Sequence, residues 1–233
     1  TISDAITVAQ ANVHAADTTG VVTATISDGD MATLANLTAT DAAGNAESNA
    51  YTITVTDATA DAGDLNTLNG KTTVAVNLSA LTSITGDHAE FTTLFAANAA
   101  DPATVTGLGN EAITISGDAA GNALTVAEAN TASGWTTGVV TATIETGSIA
   151  TIDGITETGN AFSFTVNDAT VDAATLNNLR AKTTGVVTVS GNTINGTASD
   201  IGAIYAAQTA GTVAGLANET VTISDTGTVL ASD

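Results

Sequence analysis

Nine consecutive residues, Thr18-Thr-Gly-Val-Val-Thr-Ala-Thr-Ile26, return unchanged from Thr136 to Ile144. A chain that reuses a segment this long reuses the structural unit it encodes, so the repeat constrains the fold more than any composition figure. Other segments follow the same rule. Thr1-Ile-Ser-Asp4 recurs as Thr114-Ile-Ser-Gly117 and as Thr222-Ile-Ser-Asp225. Thr7-Val-Ala-Gln-Ala-Asn12 matches Thr125-Val-Ala-Glu-Ala-Asn130, and Gly107-Leu-Gly-Asn-Glu111 matches Gly215-Leu-Ala-Asn-Glu219. Small insertions, such as residues 41–48 against the lone Gly159, make the spacing drift. The organisation read from these matches is copy one at 1–113, copy two at 114–221 and the start of a third at 222–233, a slice of an array.

Each copy divides into units with one grammar. A β-branched run comes first, as at 21–26, 51–56, 74–77 and 112–116. A turn of Ser, Thr, Asp or Gly follows, and then an Ala/Leu stretch. In those stretches the apolar positions fall at i, i+3 and i+4, as with Phe91, Leu94 and Phe95 or Ile201, Ile204 and Tyr205, which marks one buried helix face. Asp, Ser or Thr usually precedes such a stretch and can cap its first turn. Gly or Asn closes it, as at Asn69-Gly70.

Strands alternating with helices predict parallel neighbours and right-handed crossovers. A short strand plus a short helix buries its apolar face only when stacked on its neighbours. The expected architecture is therefore α/β: a right-handed βα solenoid of about eight strand–helix coils with a parallel sheet, roughly 29 residues each, a repeat length typical of solenoids. The alternative is all-β, a run of immunoglobulin-like sandwiches. It rests on Thr38-Ala-Thr-Asp-Ala-Ala-Gly-Asn45 and the strand-like run 50–55, which look like the final strands of such modules. The second copy lacks that insert.

Composition narrows function. Ala and Thr supply 46 and 47 of the 233 residues. Acidic residues number 24 against 3 basic ones, for a net charge of -21. Phosphate neutralisation needs Lys and Arg, so a nucleic-acid partner is excluded, as is a polybasic membrane patch. No apolar run is long enough for a transmembrane segment, and no signal-peptide pattern opens the chain at Thr1. Cys is absent, which removes disulfides, thiolate metal sites and thiol catalysis. Acidity, absence of Cys and small side chains together suggest a large exported bacterial protein.

Few residues carry candidate chemistry. His14 and His88 have Ala132 and Ala198 as their counterparts, so both read as surface histidines. No nucleophile elbow, Walker loop or dinucleotide fingerprint occurs, and catalytic residues are therefore expected to be none. Asp4, Asp28, Asp57, Asp118, Asp168 and Asp225 each follow a β-branched run and would lie near one edge of a solenoid. They read first as helix caps in the favourable field of a helix N-terminus. The alternative is calcium held between coils by carboxylate and carbonyl oxygens, although no EF-hand or nonapeptide calcium motif is present. No other cofactor is required. Lys71, Arg180 and Lys182 fall at matching helix ends, where they suit the helix dipole. Trp135 sits in an inserted tip, as a contact residue or loop cover. Asn36, Asn77, Asn195 and Asn218 each open an Asn-x-Ser/Thr glycosylation pattern, a match that an Asn/Thr-rich chain produces easily by chance.

The nonapeptide above, Asp28-Gly-Asp-Met-Ala-Thr-Leu34, Asn49-Ala-Tyr-Thr-Ile-Thr-Val-Thr-Asp57 and Gly107-Leu-Gly-Asn-Glu-Ala112 resemble the giant repetitive cell-surface proteins of marine unicellular cyanobacteria, including the type linked to swimming motility. The likeness covers essentially the whole chain through motifs of low complexity. It implies an exported, surface-located or filament-forming protein with no catalytic residues to carry over. The expected function is thus a non-enzymatic, structural extracellular repeat, part of a surface layer, filament or stalk that self-associates head-to-tail. The alternative is a cell-surface adhesin, calcium-stabilised, that binds a glycan or another cell.

Overall fold

The computed structural model describes residues 1–40, 42, 49–191 and 193–226. The insert at 41–48, Ala42 apart, and the final residues 227–233 lie outside the described residues, so neither the immunoglobulin-like motif at 38–45 nor most of the third-copy start can be compared with it. The chain forms two compact units, Thr1–Thr114 with Trp135–Gly138, and Ile115–Gly134 with Val139–Asp233.

The first unit runs α1 (Val8–Ala16), β1 (Thr23–Thr25), α2 (Met31–Leu34), β2 (Ala50–Thr52), β3 (Thr59–Asp61), α3 (Ala62–Asn69), β4 (Val76–Asn77), β5 (Ser83–Gly86), α4 (His88–Ala99), β6 (Val105–Thr106) and β7 (Ala112–Ile115). The second runs α5 (Val126–Ser133), β8 (Val140–Thr143), α6 (Ile149–Ile152), β9 (Ala161–Val166), β10 (Thr170–Asp172), α7 (Ala173–Arg180), β11 (Val187–Val189), β12 (Thr193–Gly196), α8 (Ala198–Thr209), β13 (Val213–Ala214) and β14 (Thr220–Ile223).

The fold is mixed α/β, and the described strand pairs are parallel. Immunoglobulin-like sandwiches are antiparallel, so the all-β alternative is set aside. One detail differs from the one-strand, one-helix unit expected from the periodicity. In the second unit β9, β11 and β13 lie in one ladder while β10, β12 and β14 lie in another. Each turn of chain there adds a helix and two strands, one to each ladder. The first unit shows the same division, with β3, β5 and β7 in one ladder and β4 and β6 in another. Both strands of each turn are only two to four residues long in the first unit. Runs that short show too little alternation to be told apart from the turns beside them.

The helices lie where the i, i+3, i+4 spacing places them. Their N-caps are the expected Thr, Asp and Ser. Thr7, Asp87 and Thr125 build full capping boxes with Gln10, Glu90 and Glu128, and Asp61, Asp172 and Thr197 cap α3, α7 and α8. The close of α3 departs from the glycine rule, since Gly70 is right-handed at φ -68. Leu65, Leu68, Leu176 and Leu179 are all buried, with Phe91, Leu94 and Ile204 beside them in the cores of their own units. Strand β9 alternates, burying Phe162, Phe164 and Val166. In register with it, Phe164 faces Val187 and Val166 faces Val189, so equal positions of successive turns stack into apolar columns.

Candidate functional site

Four of the six aspartates singled out from sequence do one job. Asp28 Oδ2 accepts from the Val8 N–H at 2.7 Å, and Asp57 Oδ2 accepts from the Met31 N–H at 2.7 Å. In the second unit Asp168 Oδ2 accepts from Ile149 N–H at 2.6 Å, and Asp225 Oδ2 from Ala198 N–H at 2.6 Å. Val8, Met31, Ile149 and Ala198 are each the first residue of a helix. A first-turn amide has no partner within its own helix, and a carboxylate there also meets the positive end of the helix dipole. The helix's own N-cap serves a different amide. Ser148 accepts from Thr151 N–H in α6, and Thr197 from Asp200 N–H in α8. Each of these helices therefore carries two caps, one local and one delivered by a strand 19 to 27 positions later.

The other two aspartates stand elsewhere. Asp118 closes its own loop, taking Ala120 and Asn122 N–H on Oδ1 at 2.8 Å each. The bonds from Asn122 chiefly hold its carboxyl below the usual carboxylate range. Asp4 lies in an exposed bend. Among the described residues no three His, Asp or Glu side chains gather into a group that could hold a metal ion.

A second set of polar contacts recurs beside the aspartates. Thr72 Oγ1 donates to Tyr51 O at 2.7 Å, Thr136 Oγ1 to Glu111 O at 2.7 Å and Thr183 Oγ1 to Phe162 O at 2.6 Å. Each of these hydroxyls also accepts from the amide two residues on, at Val74, Gly138 and Gly185. In the two glycine cases a Cβ would collide with the carbonyl oxygen of Glu111 or of Phe162. The Thr-Thr-Gly of the repeat is thus a corner that clamps one turn of chain onto an earlier one. Helix asparagines add a third set. Asn12, Asn66, Asn130 and Asn177 donate from Nδ2 to the backbone oxygens of Asn36, Glu90, Gly154 and Asp200 at 2.8 to 3.0 Å.

The position before Thr-Thr differs between repeats, and its two lysines reach the ends of helices other than the ones they follow. Lys71 Nζ donates to Ala35 O at 2.6 Å, and Lys182 Nζ donates to Asp153 O at 2.6 Å while pairing with the Asp153 carboxylate at 2.7 Å. Ala35 and Asp153 are the C-caps of α2 and α6, where a cation meets exposed carbonyls. Trp135 occupies the equivalent place after α5 and stacks on Phe95 of α4, 5.5 Å away at 8°. Its ring also lies 6.0 Å from Phe91 and 5.2 Å from His88. His88 is consequently half-buried against an indole rather than a plain surface residue, whereas His14 is exposed. Arg180 reaches back within its own helix, to Asn177 Oδ1 at 3.4 Å.

The two Gly-Leu-x-Asn-Glu loops are turns with a carboxylate at their hinge. Gly107 and Gly215 take φ +91 and +90, and a Cβ on either would strike the backbone of Ser79 or Val189. Glu111, buried, accepts from Gly109 N–H at 2.9 Å, and Glu219 from Ala217 N–H at 2.7 Å. Glu219 also accepts a hydrogen bond from the Tyr205 hydroxyl, which lowers its carboxyl value. Burial first, then Glu219, pushes the Tyr205 hydroxyl up to about 12. Comparison with family models, with curated proteins and with solved structures returned no match to this chain.

Proposed function

We propose that this chain is a non-enzymatic structural repeat of an extracellular or cell-surface protein, built as a right-handed βα solenoid that serves in a surface layer, filament or stalk. The observation that carries this reading is the recurrent cap from later strand to earlier helix, at Asp28, Asp57, Asp168 and Asp225. Side chains that return at the same place in successive repeats here hold one turn of chain to another. In a linear array, stability accumulates through such nearest-neighbour contacts. The thin, Ala- and Thr-rich turns and the charge of -21 suit a long solvated rod whose flanks repel one another. The assembly proposed with this reading is end-to-end stacking of copies into an open, head-to-tail filament, since that would extend the pattern without setting two acidic flanks side by side. The likeness of its phrases to cyanobacterial surface repeats points the same way.

Immunogold labelling of intact source cells should place the chain outside, and label confined to the cell interior would overturn the surface assignment. Electron microscopy of the purified chain in high salt should show end-to-end strings. Monomeric particles at high concentration would remove the filament.

A further inference from the structure

We infer that Asn218 is an N-glycan acceptor, the one of the chain's four Asn-x-Ser/Thr patterns in which the Asn and the hydroxyl residue are both exposed. The inference rests on the exported reading, because transfer of a lipid-linked oligosaccharide to asparagine takes place outside the cytosol.

Three of the four patterns are built into the fold. Asn36 Nδ2 donates to Ala32 O at 2.9 Å, and both ends of its tripeptide are clamped by Asn12, which donates to Asn36 O and accepts from Thr38 N–H at 2.8 Å each. Asn77 lies in β4, opposite Thr106 of β6, and its Oδ1 accepts from Ser79 N–H at 3.0 Å. Leu78, the middle residue of that pattern, is fully buried. Asn195 lies in β12, hydrogen-bonded between β10 and β14, with a buried Oδ1. A transferase must lift an acceptor amide and the hydroxyl two residues on into its own site together. At these three positions that would break a clamp, a ladder or the core.

Asn218 itself lies outside any strand, although Thr220 pairs with Thr193 of β12 and Glu219 between them accepts from the Tyr205 hydroxyl. Asn218 is exposed in the bend between β13 and β14, and Thr220 is exposed at the start of β14. Beside it lies an open polar hollow lined by Ser190, Gly191, Gly215, Ala217 and Glu219. Backbone groups and a carboxylate along such a hollow suit the hydroxyls of a first sugar ring. The other copy shows that neighbouring chain need not cover this position. There Thr137 N–H donates to Gly109 O at 2.9 Å and Thr136 Oγ1 to Glu111 O, on either side of Asn110, yet Asn110 stays exposed. Asn110 is followed by Glu-Ala and is no acceptor.

In the transfer, Asn218 Nδ2 attacks the anomeric carbon of a polyprenyl-diphosphate-linked oligosaccharide. The C–N bond forms as the bond from that carbon to the diphosphate oxygen breaks. The polyprenyl diphosphate leaves with the electron pair, and the amide proton passes to a base of the transferase.

The test is peptide mapping by mass spectrometry of the chain isolated from its source cells, with and without an amidase that releases N-glycans in heavy-oxygen water. The peptide holding Asn218 should carry hexose-containing mass and convert to labelled Asp, with Asn36, Asn77 and Asn195 unmodified. Expressed in the same cells, Asn218→Gln and Thr220→Ala should abolish the modification while Thr220→Ser retains it, a pattern that a merely structural role would not produce. An unmodified Asn218 in chain that immunogold places at the surface would overturn this inference and leave the surface reading intact. Equal occupancy at the three built-in sites would also overturn it. Chain found only inside the cell would instead sink the surface reading.

Discussion

Asp168 holds the first amide of α6: its Oδ2 accepts from Ile149 N–H at 2.6 Å across 19 positions of sequence. The bond joins the end of a strand to the start of a helix in an earlier turn, and Asp28 makes its equivalent to Val8. A four-residue helix such as α6 has too little length to stabilise itself, so its persistence depends on what meets its ends.

Asp168→Ala should therefore destabilise the second unit by about 1 kcal/mol, the usual worth of a lost helix N-cap. Asp168→Asn, which keeps an acceptor oxygen, should lose clearly less. Denaturant melts of the three proteins give the comparison, and identical midpoints would deny the bond any role.

If the aspartates serve as caps alone, sodium and calcium chlorides at equal ionic strength should raise the melting temperature equally, by screening carboxylate repulsion. Added chelator should then change nothing. A calcium-specific rise would reveal site binding, because a bound ion stabilises by mass action.

Leu179 is fully buried in α7, as is its counterpart Leu68 in α3. Truncating such a side chain removes transfer energy and leaves a cavity, so Leu179→Ala should cost about 2–5 kcal/mol. A near-neutral midpoint shift would mean that the site collapses without loss.

Gly185 and Gly202 make an internal contrast. A Cβ at Gly185 would collide with Phe162 O, whereas one at Gly202, inside α8, meets open space. Gly185→Ala should cost about 1–3 kcal/mol through overpacking, and Gly202→Ala should gain up to about 1 kcal/mol from helix propensity. Opposite signs in paired thermal melts are the expected result.

Both tyrosines should resist ionisation. Burial raises Tyr51, and burial together with Glu219 pushes Tyr205 up to about 12. Absorbance at the phenolate band should thus stay flat through the ordinary tyrosine value of about 10 and rise only above it. A hydroxyl whose folded value is raised stabilises fully below its unfolded value, and that stability is lost as pH climbs from about 10 to 12. Glu219 carries the opposite sign. Its lowered value stabilises above the ordinary glutamate range and is lost as pH falls through it. Tyr205→Phe should shrink the alkaline effect to the part that Tyr51 contributes and weaken the acid one, which pH-dependent melts can follow.

Local rules made much of this fold legible in the residues themselves. Apolar spacing at Leu65 and Leu68 marked a helix, Asp61 before that stretch marked its start, and helices alternating with β-branched runs implied parallel strands. Each of those signals lies within one turn of helix or one short strand, where chemistry between near neighbours dominates. The repeated nonapeptide likewise told that whatever Thr136 does, Thr18 has the residues to do.

The tertiary structure alone decided who meets whom. Nothing near Asp168 in sequence says that it caps a helix 19 positions back rather than the helix that follows it, or that Lys182 reaches the end of α6. Those pairings depend on the length of chain in each turn and on the register of the ladders, which are set by the packing of whole turns. The same holds for Trp135. It occupies the place that lysine takes beside α2 and α6, but the face it meets belongs to α4, which offers Phe91 and Phe95 instead of a helix C-terminus. Local periodicity determines which elements form, and the stacking of turns determines their partners, because a hydrogen bond between residues distant in sequence exists only once the register between them is set.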